Sequence, residues 1–251
     1  MKRAFFSILA AGLLMTTICK GTSVMTMTTS SDNVKIRLAG SGTFTIDWGD
    51  GSQIVKGTLK EYKKRWWHKR EYSYSYANNS SRTITITGEN VTHLSSNGNS
   101  LTSLDVSKNT ALTYLECRFN KLTSLDVSKN TKLLRLICQG NELTSLDVSK
   151  NVLLTGLDCS MNSLKNLDMS HNTSLTRLSC AGNRLNNAAL NNLFGTLNST
   201  AGKKIILTGR HFGEEVNYDE SIAMNNGWEI RVIETKKSKD GRVTYFMPDI
   251  V

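Results

Sequence analysis

One nine-residue phrase is written four times between residues 101 and 172: Leu-Thr-Ser-Leu-Asp-Val-Ser-Lys-Asn at Leu101, Leu122 and Leu143, then Leu-Lys-Asn-Leu-Asp-Met-Ser-His-Asn at Leu164. Successive starts lie 21 residues apart. A fixed period near 20 residues is what a solenoid of stacked coils writes into its sequence. Between the copies runs a second phrase, Leu-x-x-Leu-x-Cys-x-x-Asn, at Leu112, Leu133, Leu154 and Leu175, with a variant opening at Val91. Its cysteines, Cys117, Cys138, Cys159 and Cys180, keep the same step, and Ser96 holds that place in the first coil.

Each phrase places Leu, Leu and then Val or Cys at inward positions of a short strand, followed by an Asn where the chain must turn. A lone coil cannot repay the entropy of ordering its backbone, so stability must come from neighbours covering one another's apolar faces. Two asparagine columns follow: Asn99, Asn120, Asn141, Asn162 and Asn183, and Asn109, Asn130, Asn151 and Asn172. A side-chain amide at a turn bonds both its own coil and the next, so these residues read as architecture.

The repeat resembles the bacterial leucine-rich repeat of the nested 21-residue kind, sometimes called the IRREKO class, over about 95 residues. That resemblance implies a parallel-β solenoid used for binding. It implies neither a reaction nor a ligand.

The four repeat cysteines read as buried free thiols. In-register side chains on parallel strands lie near 4.8 Å apart, too far for a relaxed disulfide, and four thiols spread over about 14 Å cannot converge on a zinc ion. Asp105, Asp126, Asp147 and Asp168 stack like charges outward, a pattern calcium could use. Lys108, Lys129 and Lys150 recur three residues on, which favours screening and turn bonding instead. No phosphate loop, metal motif or nucleophile with its base is written anywhere, so no catalytic residue, no metal and no cofactor is expected.

Residues 1–21 read as a secretion signal: Lys2 and Arg3, an apolar stretch from Ala4 to Ile18, then Cys19. Cys19 stands where a lipoprotein cysteine would, although Ile18 replaces the small residue expected before it. Attachment to a membrane through a lipidated Cys19 and soluble export both stay open. Formal charge is +10, a basic bias compatible with acidic glycans, an anionic membrane or nucleic acid and diagnostic of none.

Residues 22–33, rich in Thr, Ser and Met, read as a flexible leader. From Val34 alternating strands appear, and Asp47-Trp48-Gly49-Asp50-Gly51 forces a tight turn. With Tyr72-Ser-Tyr-Ser-Tyr76 and Thr83-Ile-Thr-Ile-Thr-Gly88 this stretch resembles PKD-like domains, which implies a small β-sandwich over residues 34–90 and a structural role for Asp50. The usual Gly after the tyrosines is missing, with Asn78-Asn79-Ser80-Ser81 in its place.

An insert at residues 60–71 interleaves Lys63, Lys64, Arg65, Lys69 and Arg70 with Trp66 and Trp67, a composition suited to polyanions or sugar rings, or to a solvated loop with one buried tryptophan. Past Asn183 the period breaks. Leu190, Leu193, Phe194 and Leu197 at helical spacing, a strand at Lys204 to Thr208, a helix capped by Asp219 and a strand from Trp228 read as a C-terminal α/β cap over 186–234. Residues 235–251 are a basic tail with a turn signal at Asp240-Gly241.

The expected fold is therefore mainly β with an α/β cap: a leucine-rich repeat parallel-β solenoid over 91–185, preceded by the PKD-like β-sandwich. Outward residues of the Asp phrase hardly vary between copies, while those of the Cys phrase do: Tyr114, Glu116, Arg118 and Phe119; Arg135, Ile137 and Gln139; Asp158 and Met161; Arg177. Packing does not dictate outward residues, so this strip is the expected binding face, with its Tyr, Phe, Ile and Met exposed. The function expected is non-enzymatic recognition of a protein or glycan at the cell surface or after secretion, without nucleic acid. The alternative is an adhesin for polyanions or glycans that uses the basic aromatic insert.

Overall fold

The computed structural model describes residues 22–63, 71–198, 203–208, 210, 211, 214, 215, 218–233, 235–237 and 243–245. The signal segment with Cys19 and the insert residues Lys64, Arg65, Trp66, Trp67, Lys69 and Arg70 lie outside these residues.

Five strands precede the repeats: β1 (Ser23–Thr29), β2 (Asn33–Asp47), β3 (Val55–Thr58), β4 (Glu71–Ser75) and β5 (Arg82–Ser95). The first of them corrects the expectation of a flexible leader. β1 lies antiparallel between β5 and β6 (Leu101–Asp105), with Met27 opposite Ile84 on one side and Leu104 on the other. Met25 and Met27 point inward and are completely buried, while Thr26 and Thr28 alternate outward. Alternate burial and two hydrogen-bonded flanks hold the segment in place.

β2 pairs with β3, β4 and β5, bending at register shifts near Gly40 and Gly42. Trp48 is buried at the turn after β2, stacked on Tyr74 at 5.1 Å, and Tyr76 Oη donates to its carbonyl at 2.7 Å. Gly49 takes φ 77°, and a Cβ there would stand 2.1 Å from the Thr83 carbonyl oxygen, so no other residue fits this turn. Asp50 caps it, accepting from Ser52 N–H and Tyr74 Oη. β5 runs from these strands directly into the first coil, where its end pairs in parallel with β7 (Tyr114–Glu116). The N-terminal strands and the solenoid thus belong to one twelve-stranded sheet, with no linker at the expected boundary near residue 90.

From β7 the sheet steps through β8 (Arg135–Ile137), β9 (Gly156–Asp158) and β10 (Arg177–Ser179), all parallel and in register at one coil per step. Inward, Leu115, Leu136, Leu157 and Leu178 alternate with Cys117, Cys138, Cys159 and Cys180, all buried in one continuous core. The thiols are free, and burial pushes all four pKa values up, that of Cys117 to about 12.

The first asparagine column links successive coils on three atoms. Asn141 Nδ2 donates to the Cys117 and Cys138 carbonyls at 2.9 and 3.0 Å, and its Oδ1 accepts from Leu122 N–H at 3.1 Å. Asn120, Asn162 and Asn183 repeat this pattern. Asn99 extends it to the N-terminal strands by bonding both backbone groups of Lys35. In the second column Asn130, Asn151 and Asn172 each donate to two carbonyls, but their Oδ1 atoms are buried without a partner.

Asp105, Asp126, Asp147 and Asp168 close turns, each accepting from the N–H of the serine two residues on at 2.8 Å. Those serine bonds hold the four carboxyls below their ordinary value of 3.8. A depressed folded pKa contributes stability that is present above the unfolded value and lost as pH falls through the folded one. We therefore expect the urea midpoint to drop between pH 4 and pH 2. Replacing Asp126 and Asp147 with Asn, which keeps the turn-closing oxygen, should reduce that drop; an unchanged acid slope would refute the assignment.

The cap begins at α1 (Asn187–Thr196), whose N-cap Asn186 accepts from Ala189 N–H and whose Leu190, Leu193 and Phe194 close the stack. β11 (Lys203–Thr208) adds to β10 in parallel. After a short β12 (Arg210–His211) and β13 (Glu214–Glu215) comes α2 (Glu220–Asn225), capped by Asp219. β14 (Trp228–Ile233) then pairs with β11 and buries Trp228. The basic tail contributes a hairpin of β15 (Thr235–Lys237) and β16 (Val243–Tyr245).

Candidate recognition surface

Because the short strands are in register, their outward residues form columns that cross the sheet. The first reads His93, Tyr114, Arg135, Gly156 and Arg177; the second Ser95, Glu116, Ile137, Asp158 and Ser179. Arg118 and Gln139 follow in a third, with Phe119, Gly140, Met161 and Gly182 at the turn beyond it.

The expectation of a uniformly exposed strip needs correction. Glu116, Ile137, Gln139 and Asp158 are buried, Ile137 to 4 % exposure. Strands about 4.8 Å apart set the second column shoulder to shoulder between its neighbours, which cover it. Glu116 Oε1 pairs across to Arg118 Nε of the third column at 3.1 Å, and Asp158 Oδ1 accepts from the backbone N–H and hydroxyl of Ser160. Gln139 Nε2 donates to Met161 Sδ at 3.8 Å. Tyr114, Arg118, Arg135 and Met161 are half-buried, and Arg177 and Phe119 are exposed.

Phe119 stands out on its backbone. It takes φ 52° in a repeat position where Gly98, Gly140 and Gly182 take 65° to 69°, and Met161 shares the position at 55°. A side chain in this left-handed region costs about 1–2 kcal/mol. The Phe119 ring nevertheless remains 55 % exposed. It lies over Gly140, where a Cβ would stand 2.5 Å from the ring.

Two contributors were missed from sequence. Tyr62, at the start of the insert, stacks on His93 at 4.3 Å with rings 8° apart, and Tyr114 lies 5.5 Å from His93 and 6.1 Å from Tyr62. Burial lowers the His93 pKa to about 4, so the ring is neutral within this group. The Arg135 guanidinium lies 6.0 Å from the Tyr114 ring centre. The step of 21 residues from His93 to Tyr114 was the available signal for their contact; nothing in the sequence announced the contact with Tyr62. Lys63 is exposed.

Elsewhere, an open groove of about 660 Å³ separates α1 from the Asp phrase and includes Asp147, Asp168, His171 and Asn192. Its carboxylates already close turns with Ser149 and Ser170. Among the described residues no three His, Cys, Asp or Glu side chains gather where an ion would sit, and no helix is long and apolar enough to cross a membrane.

No family model and no curated protein matches the chain. Among solved structures it is similar to the functional domain of InlJ from Listeria monocytogenes, which includes a cysteine ladder, at 34 % identity over 56 % of this chain and 29 % of that one, with a TM-score of 0.46. It is also similar to an internalin, inlF, from Listeria monocytogenes str. 4b F2365, at 26 % identity over 40 % of this chain and 31 % of that one, with a TM-score of 0.32. The match thus spans less than a third of the length of either solved chain.

Proposed function

We infer that this is a non-enzymatic recognition protein, exported to the cell surface or secreted, whose outward face over β7 to β10 meets a protein partner. Phe119 carries the reading: a large apolar side chain held out to solvent in a backbone conformation that three of its four sister coils give to glycine. Residues held in sparsely populated backbone regions cluster at binding and other functional sites. Tyr114, Arg118 and Arg135 on the same outward face are of the residue types that dominate protein interfaces. The N-terminal strands, similar in motif to PKD-like domains, serve as cap and spacer. Signal segment 1–21 directs export, with a lipidated Cys19 as one means of attachment.

A second reading, contact with a polyanion or glycan through the basic aromatic insert, draws support from Tyr62, which brings the insert's first residues onto the same face. Capture from host and bacterial surface fractions tests the first. Alanine at Tyr114, Phe119 and Met161 together should cut recovery of the captured protein at least tenfold while the melting temperature stays within a few degrees. Unaltered recovery would reject the face, and recovery abolished by heparin alone would favour the second reading.

A further inference from the structure

The first outward column is interrupted once. His93, Tyr114, Arg135 and Arg177 each project a side chain, and Gly156 on β9 projects none. Neither conformation nor crowding demands glycine at that point. Its φ lies outside the left-handed region that constrains Gly140 and Gly182, and an added Cβ would meet only the Arg135 side chain, at 3.5 and 3.8 Å, an ordinary contact. The missing side chain opens a recess of about 10 Å³, lined by Arg118, Arg135, Ile137, Asp158 and Arg177. That is room for one water-sized group.

We propose that this recess is a binding site for a single carboxylate, supplied by an acidic side chain of a protein partner and held between the arginines. It deepens the recognition face inferred above and rests on it. Arg135 and Arg177 attach two strands apart, about 10 Å, and reach the gap from either side. Among the described residues, three guanidinium groups line the recess or its rim with two carboxylates, Asp158 and the Glu116 paired to Arg118, a balance of one positive charge. Glu116 is held by Arg118 and Asp158 by Ser160. One carboxylate oxygen fills the recess, while the other stays at the rim within reach of the guanidinium forks, which match this geometry. The same two fixed acids oppose a polysulfated chain, which needs an uninterrupted row of cations. Phe119, exposed and next to Arg118 in sequence, gives an apolar side chain of the partner a surface to cover.

The test follows the arginine side-chain Nε–Hε resonances of the full chain by NMR. The probe is the blocked peptide acetyl-Gly-Glu-Leu-Gly-amide, added to about 20 mM, since a single-site contact of this kind binds in the millimolar range. Saturable shifts of Arg118, Arg135 and Arg177 are expected. The glutamine version of the peptide should leave them unmoved, and Gly156→Ala should weaken binding about tenfold with an unchanged melting temperature, because a methyl group fills the recess. The proposal is overturned by absent shifts, by equal shifts with the glutamine peptide, or by equal binding to G156A. A heparin hexasaccharide that moves the same resonances at lower concentration, again dependent on Gly156, would overturn the protein source. Should the triple alanine variant lose its captured partner while the arginines ignore the peptide, only the recess falls. Should that variant retain the partner, the face itself falls whatever the arginines do.

Discussion

Replacing Asn141 with Ala should destabilise the protein by about 3–5 kcal/mol, among the largest effects of any single polar residue here. Its side chain satisfies the carbonyls of Cys117 and Cys138 and the N–H of Leu122, and all three are buried where water cannot replace the bond. The Leu122 N–H is orphaned, at about 1–3 kcal/mol, while each carbonyl loses one of its two side-chain bonds, since Asn120 and Asn162 also donate to them, at about 0.5–1.5 kcal/mol apiece. The loss falls between coils, and in a stack where each coil touches only its neighbours such a break also divides cooperativity. Urea unfolding followed by circular dichroism should show an earlier midpoint and a shallower slope. Asn151→Ala makes the control: that residue bonds two carbonyls and leaves its own Oδ1 unpartnered, so a smaller cost is expected. Equal losses at the two positions would contradict the view that the first column is the stronger tie.

The second large effect concerns β1. Met25→Ala and Met27→Ala should each cost about 2–5 kcal/mol, the range for emptying a fully buried Met site. Together they should leave the strands on both sides of β1 unprotected in hydrogen exchange, including Leu101 to Asp105. A flexible leader would tolerate both changes without a shift in melting temperature.

The contrast between these two sites explains what was legible in the sequence. The asparagine, cysteine and leucine columns announced themselves because each recurs at one fixed step, and stacking at that step is the fold. α1 and α2 were equally plain, since Leu190, Leu193 and Phe194 mark an apolar face and Asp219 is a cap with a side chain of the required kind. β1 was missed because composition was weighed ahead of period: a stretch rich in Thr and Ser looks solvated, yet Met25 and Met27 alternate with Thr26 and Thr28 at a strand's period of two. The join between the N-terminal strands and the solenoid was drawn too sharply, since β5 belongs to both.

On the proposed recognition face, alternation separated inward from outward residues but could not say which outward ones stay accessible. Ile137 and Asp158 point away from the core and are still covered, because strands only three residues long let flanking columns close over a central one. The Gly156 gap was in principle readable from the 21-residue step, as a glycine between two arginines in one column. The cost of the Phe119 conformation was not readable, because it needs a backbone angle.

Phe119→Gly tests the central claim most directly, with melting temperature and partner capture measured on the same preparation. Glycine relieves a left-handed strain of about 1–2 kcal/mol and returns about 0.5–1 kcal/mol as lost chain entropy. The account predicts a melting temperature unchanged or slightly raised, together with a recovery of the captured protein reduced at least tenfold. A variant that melts several degrees lower and captures its partner undiminished would mean that Phe119 is kept for packing on Gly140, and that this face is not the one that binds.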